Sequence, residues 1–269
     1  MINCISRLVR CFGLALFLAL WSITGLGQPT TTATFAQQEI EKQQQRLRSS
    51  DDEERRDALL RLRALRLPAA SRVALPALTD ASPMIRAVAA GSILALGPEE
   101  SVPALLPLLN DKEEFVRREV TYALGLTRSR NATAALSERL LNDKEDSVRG
   151  AAAVSLGHIA DEAGVVALVS VLAPELSAPQ KKKRKVEKNE FILRAAAEAL
   201  GKIKSRAGTA ALIAALGNEK SPADVRRESA RALGSIGDPA AIPALKSASS
   251  AADPYLAQLA NQSLRKLVP

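Results

Sequence analysis

Apolar and polar residues follow one another along this chain with the period of an amphipathic helix. In the ten-residue frame at 116–125, the first, fifth, eighth and ninth positions are Val116, Val120, Ala123 and Leu124. Residues spaced i, i+4, i+7 and i+8 lie on one side of an α-helix. The frame therefore predicts a helix that buries one face.

The same frame recurs along the chain. Seven copies end at residues 63, 94, 125, 157, 201, 234 and 265, so successive ends lie 31, 31, 32, 44, 33 and 31 residues apart. A shorter apolar segment rich in Leu or Ala precedes most of the frames, as at 103–109, and Gly or Pro marks most junctions. We therefore predict about seven helix pairs, called repeats one to seven, starting near residues 37, 68, 99, 131, 162, 206 and 239.

Composition supports helices over strands. Hydrophobic residues make up 47% of the chain but aromatic residues only 3%, so most apolar positions hold Ala or Leu, which favour helices. One helix pair cannot bury enough apolar surface alone, whereas stacked pairs share a continuous core. The pattern predicts an all-α repeat protein.

An Asp and an Arg six residues apart introduce three successive frames. These residues are Asp80 and Arg86, Asp111 and Arg117, and Asp143 and Arg149. With the small-residue helix that follows, they resemble the HEAT family, in particular the HEAT-like repeats of phycobilisome (bilin) lyases. The resemblance implies a right-handed α-α superhelix in which Asp and Arg pair between neighbouring repeats as a ladder. Leu193 and Ala257 replace the Arg, so the resemblance predicts interruptions there.

The N-terminal segment has the pattern of a secretory signal. Arg7 and Arg10 precede an uncharged apolar run at 11–27, and small residues follow at two candidate cleavage sites, 27/28 and 36/37. We expect a signal peptide within 1–36, a repeat domain at 37–269 and a periplasmic or secreted protein. An uncleaved N-terminal anchor is the alternative. Cleavage would remove Cys4 and Cys11, and with them every thiol.

The longest spacing reflects an insertion at about 174–190, between the two helices of repeat five. It carries a basic run, Lys181, Lys182, Lys183, Arg184 and Lys185. Such a run is typical of a solvated loop, a nuclear-import tag, or a contact with an acidic protein, polymer or lipid surface. The secretory pattern argues against nuclear import.

Candidate chemistry is sparse. His158 is the single histidine, and no phosphate loop, nucleophile elbow or paired-histidine spacing occurs. Acidic clusters such as 51–54 fall where helices begin, where carboxylates cap free amides. We predict no catalytic, cofactor or metal site. The mature chain has four aromatic residues and one basic run, which argues against nucleic-acid binding.

If the second helix of each pair forms a binding face, the third, fourth and seventh frame positions should point outward. They include the candidate partner-binding residues Arg118, Tyr122, Arg194, Arg227 and Arg231. In repeats two and four these positions are small and apolar, as at Ala87, Val88 and Gly91. Two explanations stay open: a partner groove, or closer packing that tightens curvature.

These patterns favour a non-catalytic protein–protein interaction scaffold outside the cytoplasm, whose partner is another protein. One alternative is an enzyme or enzyme subunit similar to the bilin lyases. Another is a membrane-anchored tether whose basic loop contacts an anionic surface.

Overall fold

The computed structural model describes residues 31–176 and 187–267, and the chain divides into two compact units, Met1–Lys42 and Gln43–Pro269. In the first unit, the described residues belong to one helix, Thr31–Arg46, which continues into the second unit. It begins upstream of the predicted start near residue 37. Most of the predicted leader and all of Lys181–Lys185 lie outside the described residues.

The described residues contain fourteen α-helices and no strand, so the predicted all-α solenoid of about seven helix pairs is confirmed. In chain order the helices are α1 Thr31–Arg46, α2 Asp52–Leu65, α3 Pro68–Ala74, α4 Pro83–Ser92, α5 Pro98–Leu105, α6 Glu114–Leu126, α7 Thr133–Asn142, α8 Asp146–Ile159, α9 Val165–Leu172, α10 Glu190–Ile203, α11 Thr209–Gly217, α12 Ala223–Ile236, α13 Ile242–Ala248 and α14 Pro254–Leu267. None of these helices is both long and apolar enough to cross a bilayer.

The second unit is built in two layers. The even-numbered second helices pack side by side from α2 to α14, and the shorter first helices pack against them. The ninth frame position faces the core between the layers. Its residues in the first six repeats are at most 1% exposed: Leu62, Ile93, Leu124, Leu156, Leu200 and Leu233.

Glycine at the tenth frame position lets neighbouring second helices approach closely. A Cβ on Gly125 would lie 2.5 Å from the Cβ of Ser155, and one on Gly234 would lie 2.6 Å from the Cβ of Ser263. Ser155 Oγ donates to the carbonyl of Thr121 at 2.9 Å, across the same contact. These glycines therefore serve close helix approach, for which the absence of a Cβ is required.

The left-handed residues that end the second helices lie three residues after the tenth frame position. Arg66, Arg128, Ala160, Lys204 and Gly237 have positive φ angles between 53° and 75° at the ends of second helices. Only one of these five residues is glycine, although left-handed backbone strains residues that carry a Cβ. The left-handed conformation is therefore a feature of the repeat, and it is adopted at this position by non-glycine residues as well.

Candidate functional site

Arginine–carboxylate pairs join neighbouring repeats along the N-terminal ends of the second helices. Arg86 Nε and Nη2 donate to the two carboxylate oxygens of Asp111 at 2.7 and 2.9 Å. Arg117 donates to both oxygens of Asp143 at 2.9 Å. Each arginine also reaches the loop of its own repeat, as Arg86 Nη1 does at the carbonyl of Asp80, 2.9 Å away. Each guanidinium therefore links two repeats.

Two further pairs extend this ladder. Arg55 donates to both carboxylate oxygens of Asp80 at 3.0 Å, and Arg149 Nη2 donates to Glu187. Arg55 occupies the second position of the weak first frame, and Glu187 lies five residues before the fifth frame, where Asp143 stands in the fourth. The Asp-x5-Arg pattern misses both pairs, because the position of the Asp holds Ser49 in repeat one and Glu187, within the predicted insertion, in repeat five.

The innermost pair is almost completely buried. The side chains of Arg117 and Asp143 are 6% and 2% exposed. Burial acts to raise the pKa of Asp143, but hydrogen bonds from Arg117 and the Glu145 backbone N–H outweigh it, so the pKa is lowered. Asp143 is thus held as a carboxylate in the fold, where its role is structural.

The ladder changes between repeats five and seven. Leu193 takes the arginine position in repeat five and is buried, and Arg226 Nε donates to the carbonyl of Leu216 at 3.0 Å. Arg227, a candidate partner-binding residue, donates to both oxygens of Asp253 at 2.8 and 3.1 Å. Arg227 therefore joins repeats six and seven.

The prediction that the fourth frame position points outward is wrong for repeats four to six. Ala151, Ala195 and Glu228 are at most 6% exposed. In this register the fourth position already faces the neighbouring second helix. Gly150, at the third position, is also buried, because the ring of Phe191 covers it. The small residues of repeat four therefore form no groove.

Repeats one to three do carry a groove on their second helices, with a volume of about 300 Å³. Its apolar residues include Leu60, Met84, Val88, Phe115, Tyr122 and Leu126. Leu60, Met84 and Leu126 are 44%, 46% and 55% exposed. Large apolar side chains left in water at one place are typical of a binding site. We call this feature the apolar groove.

The polar groups of the apolar groove differ in their pairing. Arg118 donates through Nε and Nη2 to Glu119 Oε1, both at 3.2 Å. Arg63 is exposed, and its Nη1 lies 2.9 Å from where a Cβ on Gly91 would be. Within the described part of the chain, Arg63 forms no ion pair. Its guanidinium rests on the bare glycine at the groove wall.

A charged cluster occupies the second helices of repeats five and six. Lys202 Nζ lies 2.7 Å from Glu198, and Arg231 Nη2 lies 3.3 Å from Glu228. Burial raises the pKa of Glu228, although Arg231 acts in the opposite direction. The guanidinium of Arg194, another candidate, lies over Phe191 at 5.7 Å from the ring centre.

His158 lies exposed beside this cluster. Partial burial and then the charges of Lys202 and Arg128 lower its pKa, so the imidazole is neutral at pH 7. Among the residues that the structure describes, no three His, Cys, Asp or Glu side chains gather as metal ligands would.

Comparison with known proteins identifies the repeat. The family model for HEAT repeats matches residues 40–125, 71–157, 110–175 and 187–265. No curated protein matches the sequence.

Several solved structures have a similar fold. An engineered protein is 21% identical, with a TM-score of 0.55 over 85% of this chain and 68% of the other. The E. coli protein YibA is 16% identical, with a TM-score of 0.51 over 89% and 97%. The CpcE–CpcF complex of phycocyanin lyase from Nostoc sp. PCC7120 is 22% identical, with a TM-score of 0.48 over 84% and 86%. The first two matches, with TM-scores above 0.5 and identities below 25%, indicate the fold alone, whereas the family model covers most of the sequence. The chain therefore belongs to the HEAT repeat family.

Proposed function

We propose that this protein is a non-catalytic scaffold that binds a partner protein through the apolar groove and acts outside the cytoplasm. The observation that carries the proposal is the cluster of exposed large apolar side chains at Leu60, Met84 and Leu126. Removing such side chains from water on binding is favourable by about 25 cal/mol per Å². The cores of protein interfaces are enriched in aromatic residues, Met and Arg, and this groove is lined by Phe115, Tyr122, Met84 and Arg63.

The ladder supports the proposal indirectly. Its arginines and carboxylates pair with each other between repeats, as Arg117 and Asp143 do, so their role is structural. The ion pair within the groove, Arg118–Glu119, joins adjacent residues of one helix and links no repeats, so it has no comparable structural role. A rigid stack of helices that presents an apolar groove suits binding.

Site-specific photocrosslinking in the native host tests the binding site. A photoreactive residue at position 84 should form an adduct with one partner protein, and the adduct should be lost when Leu60 is replaced by Glu. Position 166 is the matched control, because Val166 is 74% exposed but lies on a first helix. The partner, once identified and purified, should bind the wild type and lose about tenfold affinity for Met84→Glu but not for Val166→Glu. Equal losses in both variants would contradict the proposal.

The non-catalytic part has its own test, because the sequence resembles bilin lyases. The purified protein is incubated with free bilin and a candidate acceptor protein. We expect no covalent bilin adduct on the acceptor. Formation of that adduct would show that the protein is an enzyme and would contradict the proposal of a non-catalytic scaffold.

The extracytoplasmic location is supported by the signal pattern within 1–36. N-terminal sequencing and cell fractionation test it. A soluble chain that begins near residue 28 or 37 agrees with export, and a membrane-bound chain that retains its leader agrees with the anchored alternative. A full-length chain in the cytosol would contradict both.

A further inference from the structure

The apolar groove contains one charged group that has no counter-charge. Three charged residues, Arg63, Arg118 and Glu119, line it, and the last two are bonded to each other. Arg63 is left with a guanidinium that no carboxylate in the described chain engages. The groove is therefore apolar with a local excess of one positive charge.

The position of this charge is set by the repeat. Arg63 holds the tenth frame position, which is glycine in repeats three to six. Its side chain crosses to the second helix of repeat two, where Gly91 has no side chain to displace it. The guanidinium thus lies beside the apolar wall, where a bound segment would cover it.

The size of the groove indicates what can occupy it. It runs across α2, α4 and α6, and packed helices lie about 8–10 Å apart, so it spans about 20 Å. An extended peptide advances about 3.3 Å per residue, so about six residues cross it. Covering the groove with apolar side chains also removes water from Arg63, which strengthens a hydrogen bond to an anion.

We propose that Arg63 makes the apolar groove selective for an extended segment of a partner protein that carries a carboxylate beside a large apolar side chain. This inference rests on the proposed function, since it specifies the chemistry of the partner. The carboxylate accepts hydrogen bonds from the free guanidinium while the apolar side chain packs against Leu60 and Met84. A basic segment finds no free acid here, because Glu119 is occupied by Arg118.

Peptide selection tests the inference. Random heptapeptides displayed on phage are selected on the full chain, and the enriched peptides are synthesised and titrated against variants. We expect Asp or Glu next to Leu, Ile, Phe or Trp. Arg63→Gln should weaken these peptides about tenfold, and Arg63→Lys should restore part of the loss. Gly91→Ala should cause a smaller loss, because the new Cβ displaces the flexible guanidinium. Arg265→Gln is the matched control and should change nothing, because Arg265 holds the tenth frame position of repeat seven, is exposed and lies outside the apolar groove.

The outcomes separate the inference from the proposed function. In one outcome the selected peptides are apolar, bind Met84→Glu poorly and bind Arg63→Gln as tightly as the wild type. This result would overturn the inference about Arg63 and still support the groove as a binding site. Enrichment of Lys-rich or Arg-rich peptides would overturn the inference. If no peptide is selected, or if the selected peptides bind Met84→Glu as tightly as the wild type, both are overturned. Titration with the fatty acid dodecanoate then tests whether the groove binds a lipid in place of a protein.

Discussion

The first four repeats and the last three are joined in different ways. From repeat one to repeat five, each joint is closed by an arginine that reaches an acid of the next repeat, with the buried pair Arg117–Asp143 at the centre. Between repeats five and six the arginine position holds buried Leu193, and the pair Arg227–Asp253 beyond it is 30% and 21% exposed. A buried bidentate pair constrains direction as well as distance, whereas an apolar contact constrains neither strongly. The charged joints therefore hold the three repeats that form the apolar groove.

Two buried carboxylates show the same contrast. Asp143 accepts hydrogen bonds from Arg117 and from a backbone N–H, and its pKa is lowered. Glu228 is also buried but only approaches Arg231 at 3.3 Å, and burial raises its pKa. Burial alone opposes ionisation, and hydrogen bonds decide whether the charge is nevertheless retained.

The largest expected effect is at the central pair. Asp143→Ala should lower the free energy of unfolding by about 3–5 kcal/mol, because the Arg117 guanidinium is left buried without its carboxylate. The matched control in the last repeats is Asp253→Ala, for which we expect a loss of about 1 kcal/mol or less because that pair is partly exposed. Urea unfolding followed by circular dichroism measures both. Similar losses would remove the difference between the two regions.

A second substitution tests the close approach of the helices. Gly125→Ala should cost about 1–3 kcal/mol, because the added Cβ would lie 2.7 Å from the backbone Cα of Ser155, which cannot rotate away. Gly217→Ala is the control, since no atom lies within 4 Å of its added Cβ. Urea midpoints of both variants give the comparison. An unchanged midpoint for Gly125→Ala would mean that the joint is loosely packed.

The two carboxylates should respond to pH in opposite directions. Because the folded pKa of Asp143 is lowered, its stabilisation is present above the unfolded value of about 3.9 and is lost as pH falls. Because the folded pKa of Glu228 is raised, its ionisation penalty is absent below about 4.3 and grows as pH rises through the folded value. Glu228→Gln should therefore gain stability relative to the wild type between pH 4 and pH 7, in urea titrations at each pH. A relative loss over this range would show that the carboxylate of Glu228 is stabilised when ionised.

The smallest effects are expected at the helix ends. Ala160 has a φ of 55°, so Ala160→Gly should stabilise by about 0.5–1 kcal/mol by relieving left-handed strain. Gly237→Ala, at the equivalent end in repeat six, should destabilise by a similar amount. Thermal unfolding of the pair gives two shifts of opposite sign. Shifts of the same sign would contradict the strain argument.

Helical periodicity was sufficient for the fold but insufficient for the binding face. The i, i+4, i+7, i+8 pattern placed residues such as Leu124 and Leu156 in the core, where the structure has them. The same pattern assigned Ala151 and Glu228 to the outside, where they are not. A helical pattern describes one helix in isolation, and the angular width of its buried face depends on how closely the next helix approaches.

The amino-acid sequence by itself determined the repeat, its length of about 31 residues, the helix pairs and the family, because these follow from local periodicity and from neighbours that are alike. Tertiary structure alone decided that Glu187 continues the ladder, that Phe191 covers Gly150, and that Arg63 rests on Gly91 beside an apolar groove. Each of these contacts joins residues about 28 to 41 positions apart. Their meeting depends on the distance and angle between packed helices, which no single helix encodes.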